Sequence, residues 1–181
     1  KDLLEWVDKG YRVITLTASC GLMLKFEWPL LLPEDTNIKR LSKNVSDIDE
    51  YIVDISNKEG LAKGLQEIDG SVTVHHACHA RAQNMGIKAR DMLKLIPNIK
   101  IDVVERCAGH GGTFGVMKET HDRALKVGKP TARQIKNKNN KYMASDCPLA
   151  GKHLDQLKQD TKISSTEALH PIELMAKSYR L

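Results

Sequence analysis

Four short apolar segments of the chain have the character of β-strands, and a cysteine comes just after each of them. The segments are residues 11–17, 72–76, 99–104 and 141–145, and the cysteines that follow them are Cys20, Cys78, Cys107 and Cys147. Helix-like stretches separate the segments, and this alternation predicts βαβ units with a parallel sheet. We therefore predict an α/β protein with a parallel Rossmann-like sheet and flanking helices. Its cysteines would lie at the carboxyl edge of the strands, where ligands bind in sheets of this kind.

The composition is that of an ordinary globular protein. The 181 residues can bury a substantial core, and 41% of them are hydrophobic and 28% charged. The longest apolar run is too short to span a bilayer. The basic residues behind the net charge of +5 are spread out, and aromatic residues make up 4%, which argues against a base-stacking surface. We expect no nucleic-acid partner and no membrane-spanning segment.

The start of the chain and its cysteine content indicate a cellular setting. The chain begins at Lys1 without a signal-peptide pattern, so we expect a cytoplasmic protein that is a processed product or a piece of a longer one. Four cysteines are too few for a secreted disulfide scaffold. In a reducing compartment, clustered cysteines indicate metal or redox chemistry, with zinc or an iron–sulfur cluster as the bound species.

Three histidines surround the second cysteine in the run His75-His-Ala-Cys-His79. One interpretation is a metal site with Cys78 as ligand and a histidine as a further ligand or as a hydrogen-bond partner of the ligand. The alternative is a buried cysteine whose neighbouring histidines cap the following helix or bond to the backbone. The pattern alone leaves both interpretations open.

A glycine-rich turn follows the third cysteine in Arg106-Cys-Ala-Gly-His-Gly-Gly112. Gly109, Gly111 and Gly112 let the backbone approach a ligand closely and direct amides toward it. Such amides can donate to cluster sulfurs, or to a phosphate at a helix N-terminus. The run lacks the spacing of a P-loop or a dinucleotide fingerprint, which disfavours a nucleotide. His110, flanked by glycines, is a further candidate metal ligand.

The fourth cysteine lies at a predicted strand-to-helix turn, in Asp146-Cys-Pro-Leu-Ala-Gly151. A helix N-terminus favours the thiolate form, which suits a metal ligand and a nucleophile alike. A Cys–His enzyme therefore stays open as an alternative.

These motifs, taken in order, resemble the cysteine-rich CCG iron–sulfur proteins. That family includes one subunit of heterodisulfide reductase and the C-terminal part of one subunit of anaerobic glycerol-3-phosphate dehydrogenase. In the family pattern, cysteines stand where this chain has Ala108 and Ala150. The matching motifs are Thr17-Ala-Ser-Cys20 with Glu27-Trp-Pro29, His75 to His79, Cys107-Ala-Gly109 with Gly111 to Gly115, Asp146-Cys147, and His170-Pro-Ile-Glu-Leu-Met-Ala176.

The resemblance implies two parts of the chain. Residues 1–69 would be the tail of a first cysteine-rich repeat with connecting helices, and residues 70–181 would be a second, complete CCG-like domain. A weak internal sequence similarity agrees with this division, because Cys20 to Lys25 and Cys147 to Lys152 share the pattern Cys-x-Leu-x-x-Lys.

The resemblance also implies a cofactor and its ligands. We expect an iron–sulfur cluster of the [4Fe-4S] type, which an isolated fragment need not retain. The implied ligands are Cys78, Cys107 and Cys147, with Cys20 or His110 as candidates for a further ligand. The three glycines after Cys107 would line the cluster.

The function implied by the family is electron transfer within a redox complex, as an oxidoreductase component. The expected partners are a flavin-containing dehydrogenase or other redox subunit, and a quinone or disulfide acceptor reached through the complex. Partner subunits could attach the protein to a membrane. The first alternative is an interaction module that holds zinc through the same thiolates, since zinc has no redox chemistry.

Overall fold

The structure, a computed structural model, describes residues 1–157 and 167–181. Residues 160–167, whose polar character predicts a linker, lie outside the described residues except for residue 167. The α-helices before residue 70 are α1 (Asp2–Asp8), α2 (Ala18–Leu22), α3 (Trp28–Leu31), α4 (Thr36–Ser42) and α5 (Ile48–Lys58), and a π-helix (Met23–Glu27) joins α2 to α3. The later helices are α6 (Cys78–Ala82), α7 (Lys88–Leu93), α8 (Lys118–Lys138), α9 (Pro148–Gln156) and α10 (Pro171–Ser178).

The strands form two parallel sheets in the described part of the chain. The smaller sheet pairs β1 (Val13–Thr15) with β2 (Val45–Asp47). The larger sheet has the order β4-β3-β5, made of β3 (Ser71–His75), β4 (Lys100–Val104) and β5 (Tyr142–Ser145). The predicted α/β class with parallel strands and flanking helices is confirmed. All four predicted strands are present, each within two residues of the expected bounds.

Strand β2 is not expected from the sequence, because residues 35–69 are rich in polar helix formers and predict surface helices. A strand of three residues shows no period, and two of its residues, Ser46 and Asp47, are polar although they are buried. The sequence also predicts a single helix from about Ala82 to Ile96, which Pro97-Asn98 would end, and this prediction is wrong. Asn84 and Gly86 adopt positive φ angles of 51° and 77° and separate α6 from α7.

The larger sheet has a hydrophobic cluster on each face. Successive residues of a strand point to opposite faces, so Met143 and Ala144 of β5 belong to different clusters. Helices α7 and α10 contribute Met92, Leu93 and Leu174 to one cluster. Helices α8 and α9 supply the other, and these packed faces fix the strand ends from which the cysteine loops leave. In the part of the chain that the structure describes, no helix is long and apolar enough to cross a membrane.

Candidate metal centre

Three of the four cysteines line one small cavity of about 50 Å³ beyond the carboxyl ends of β3, β4 and β5. Each cysteine follows a different strand of the larger sheet. Cys78 is the first residue of α6, Cys107 lies in the loop after β4, and Cys147 is the N-cap of α9. Because parallel strands end at one edge of a sheet, the three loops meet there. Sequence separations of about thirty to forty residues thus become one local site.

The thiol groups differ in their access to solvent. Cys78 and Cys107 are exposed, whereas Cys147 is buried with 7% of its surface accessible. Burial, and to a smaller extent the nearby Asp146 carboxylate and Cys78 thiol, raise the pKa of the Cys147 thiol. A thiol of this kind stays protonated at neutral pH until a metal displaces the proton.

The loop after Cys107 brings its backbone close to the sulfur. The Gly109 N–H donates to Cys107 Sγ at 3.3 Å. Gly109 has a φ of 86°, and a Cβ there would lie 2.2 Å from the Ala124 carbonyl oxygen of α8. Glycine is therefore required at this position by both conformation and space. Gly111 and Gly112, which also have positive φ angles, complete the turn that borders the cavity.

The structure separates the remaining candidate ligands. His110 lines the cavity together with the three cysteines, while Cys20 is exposed at the start of α2 and is not part of the cavity wall. Burial lowers the pKa of His110, which leaves its ring neutral and able to bind a metal. The ring centroid of His110 lies 5.7 Å from that of His153 in α9.

The donor set fits an iron–sulfur cluster by its chemistry. The cavity offers three of the four thiolates that such clusters usually bind, together with an amide directed at one of the sulfurs. The enclosed volume is little more than that of one water molecule, so it is the donor set that matches and not the size of the cavity. Among residues 1–157 and 167–181, no three His, Cys, Asp or Glu side chains are arranged to hold a single metal ion.

A buried hydrogen-bond network connects the loops just before the cysteines, and its central residue, Asp146, was not among the residues predicted for the site. Asp146 Oδ1 accepts from the Ala77 N–H at 2.8 Å, and Oδ2 accepts from His76 Nδ1 at 2.6 Å. The sequence signal for this role is an acidic residue directly before a cysteine at a strand end.

His75 makes the second half of this network. Its Nε2 donates to the Arg106 carbonyl at 2.8 Å, and its Nδ1 lies 3.0 Å from Ser145 Oγ, which accepts from the Cys147 N–H at 3.3 Å. Burial lowers the pKa of His75, so the ring is neutral and the Ser145 hydroxyl donates to Nδ1. Of the two histidines before Cys78, His75 bonds to a backbone carbonyl and a serine hydroxyl, and His76 bonds to the Asp146 carboxylate. Cys78 itself is exposed and not buried as the alternative interpretation of this motif has it.

Behind Asp146, two further carboxyl groups are buried at the end of β2. Asp47 caps α5, and burial, with a smaller contribution from Asp146, raises its pKa to about 6. Burial and the neighbouring Asp47 raise the pKa of Asp49 as well. Within the described residues, Asp49 Oδ1 and Gln83 Oε1 are buried without a hydrogen-bond partner. The ionised form is thus unfavourable at Asp47 and at Asp49.

This burial predicts a pH-dependent stability. An acid whose folded-state pKa is about 6, above its usual 3.8, binds more protons when folded, so the free energy of unfolding falls as pH rises from about 4 to about 6. The loss is on the order of 2–3 kcal/mol. Asp47→Asn keeps a good N-cap and should make the measured decrease smaller by about this amount, as determined by urea unfolding across that pH range, while the part that comes from Asp49 remains.

The matched control for this prediction is Asp35→Asn at the exposed N-cap of α4. This variant should keep the wild-type decrease in stability. An Asp47→Asn variant with an unchanged pH dependence would contradict a buried, ionisation-linked cost at this cap.

The amino-acid sequence matches a known domain family and several known proteins. Residues 72–155, which include all three cavity cysteines, match the family model of the CCG cysteine-rich domain. An iron–sulfur protein of Methanocaldococcus jannaschii is 31% identical over 172 residues, which is 91% of this chain and 32% of that protein.

Two further relatives are named as subunits of redox enzymes. One subunit of the anaerobic glycerol-3-phosphate dehydrogenase of Escherichia coli K12 is 25% identical over 171 residues, covering 94% of this chain and 41% of the relative. One subunit of the fumarate reductase (CoM/CoB) of Methanothermobacter marburgensis is 27% identical over 176 residues, covering 94% of this chain and 33% of the relative. The chain thus spans about a third to two fifths of the length of these relatives.

Proposed function

Because residues 72–155 belong to the CCG cysteine-rich domain family, we propose that the chain is an iron–sulfur electron-transfer unit of a redox complex. The observation that carries this proposal is the meeting of Cys78, Cys107 and Cys147 at one cavity within the matched residues. Three relatives with iron–sulfur or redox-subunit names support the same role. A bound cluster of the [4Fe-4S] type would supply one-electron chemistry at this edge of the sheet.

The residues around the cavity have distinct tasks in this proposal. Cys78, Cys107 and Cys147 hold the cluster, and the Gly109 amide stabilises negative charge on the Cys107 sulfur. Burial of Cys147 keeps water from one side of the site. Because the raised pKa of this thiol favours its protonated form, Cys147 would have to give up a proton in order to bind iron.

Two positions that are cysteines in the family pattern are alanines in this chain. Ala108 and Ala150, which stand where the family pattern has cysteines, both line the cavity. Their methyl groups supply no donor, so a fourth ligand has to come from elsewhere. His110 is our candidate because it lines the same cavity with a neutral ring. Cys20 follows a strand of the smaller sheet, and we assign it to the site of a separate repeat formed in part by residues 1–69.

The partners are part of the proposal, and the relatives named as subunits of redox enzymes support a place in a redox complex. The chain would receive electrons from a flavin-containing dehydrogenase or another redox subunit, and pass them toward a quinone or a disulfide. We propose a cytoplasmic location, with any membrane attachment provided by partner subunits.

Anaerobic reconstitution of the chain with ferrous iron and sulfide tests the proposal. We expect a brown protein with equal amounts of iron and acid-labile sulfide, and an EPR signal that changes on reduction with dithionite. A colourless protein that binds one zinc ion per chain and retains no sulfide would contradict the proposal and favour the zinc module.

A further inference from the structure

We propose that Asp146 is a positioning residue that holds the Cys78 and Cys147 loops at the separation that a shared cluster needs. The inference rests on the proposed function for its purpose, while its geometry is independent of any cofactor. Asp146 directly precedes Cys147, and its Oδ1 accepts from the peptide N–H of Ala77, which directly precedes Cys78. One carboxylate therefore connects the residues before two of the three cavity cysteines.

The hydrogen bond between Asp146 and Ala77 lies just beyond the end of the pairing between β3 and β5. The last paired residues of β3 and β5 are His75 and Ser145. Beyond them, strand pairing no longer connects the segment after β3 to the segment after β5. On the other side of β3, the His76 N–H still donates to the Val104 carbonyl of β4. The Asp146 carboxylate takes the place of a further backbone hydrogen bond between β3 and β5.

Burial makes the Asp146 hydrogen bonds hard to replace. Asp146, Ala77 and His76 are 4%, 3% and 3% exposed. If the carboxylate were removed, the Ala77 N–H and His76 Nδ1–H would lose their acceptors in a place that water reaches poorly. An unpaired buried donor costs about 1–3 kcal/mol. The loop can avoid this cost by moving toward solvent, which would carry Cys78 away from Cys147.

The Cys107 loop does not depend on Asp146 in the same way. Its position is set by the Arg106 carbonyl, which accepts from His75, and by the Cys107 carbonyl, which accepts from Thr131 Oγ1 at 2.5 Å. The loss of Asp146 should therefore affect one pair of cysteines, Cys78 with Cys147, more than the third. This selectivity separates positioning from a general loss of folding.

The first test compares Asp146→Ala with Asp146→Asn after reconstitution. An asparagine side-chain oxygen can still accept from the Ala77 N–H, so we expect Asp146→Asn to keep most of the wild-type iron. Asp146→Ala should lose at least half of it during anaerobic gel filtration. The matched control is Asp102→Ala, which removes a carboxylate on β4 that bonds to Lys138 and Asn140 instead of the cysteine loops. Circular dichroism checks that each variant is folded.

The second test needs no cluster. In the cluster-free, reduced chain, a short bis-alkylating reagent should join Cys78 to Cys147, with the product identified by peptide mass spectrometry. We expect this reaction to be several-fold slower in Asp146→Ala and near the wild-type rate in Asp146→Asn, while single alkylation of exposed Cys107 is unchanged.

The outcomes of these tests are distinguishable. If Asp146→Ala retains iron and crosslinks as the wild type does, the positioning role is wrong. Equal defects in Asp146→Asn and Asp146→Ala would also overturn it, because the negative charge and not the hydrogen bond would then matter. A wild-type chain that takes up no cluster, combined with slow crosslinking in Asp146→Ala alone, would refute the proposed function and leave the positioning role supported.

Discussion

Replacement of Cys78 by serine is expected to remove most of the iron from the reconstituted chain. Cys78 is the first residue of α6 and lines the cavity shared with Cys107 and Cys147. A serine oxygen is a much poorer ligand than a thiolate for an iron–sulfur cluster. Iron and sulfide analysis after anaerobic gel filtration measures the loss, and the Cys107→Ser and Cys147→Ser variants should behave alike.

The matched control is Cys20→Ser. Cys20 is exposed, as Cys78 is, and follows a strand of the smaller sheet outside the cavity. This variant should keep the wild-type iron content. Equal iron loss in Cys20→Ser and Cys78→Ser would restore a site with four cysteines and would contradict the assignment of Cys20 to a separate repeat.

The largest effect on stability is expected from Gly109→Ala. An alanine at a φ of 86° is strained, and its Cβ would lie 2.2 Å from the Ala124 carbonyl oxygen and 2.7 Å from the Gly128 nitrogen. Both obstacles are backbone atoms of α8, so the loop and the helix have to move apart. The strain and the overlap together should lower the free energy of unfolding by on the order of 3–4 kcal/mol, measured by urea unfolding of the cluster-free chain.

Gly60→Ala separates the two causes of this effect. Gly60 has a similar φ of 79°, but a Cβ there would meet nothing within 4 Å. This variant should lose only the conformational contribution, about 1 kcal/mol. A Gly109→Ala variant no less stable than Gly60→Ala would show that the close approach of the loop to α8 is not required.

The strands and the class of fold could be predicted because they depend on local pattern. Apolar segments such as residues 72–76 and 99–104 carry the signal of strands buried in a parallel sheet, and the helical stretches between them impose the crossover connections. The three-residue strand β2 was out of reach, since a segment so short has no period and its polar residues are buried by contacts distant in sequence.

The sequence by itself determined where the thiols lie relative to the strands, because each cysteine follows a segment that forms a parallel strand. It did not determine which cysteines share a cavity. The tertiary structure decided this by bringing the loops after β3, β4 and β5 to one cavity, whose lining does not include Cys20. It also decided the role of Asp146, because hydrogen bonds between residues 69 apart in the chain exist only after the strands have paired.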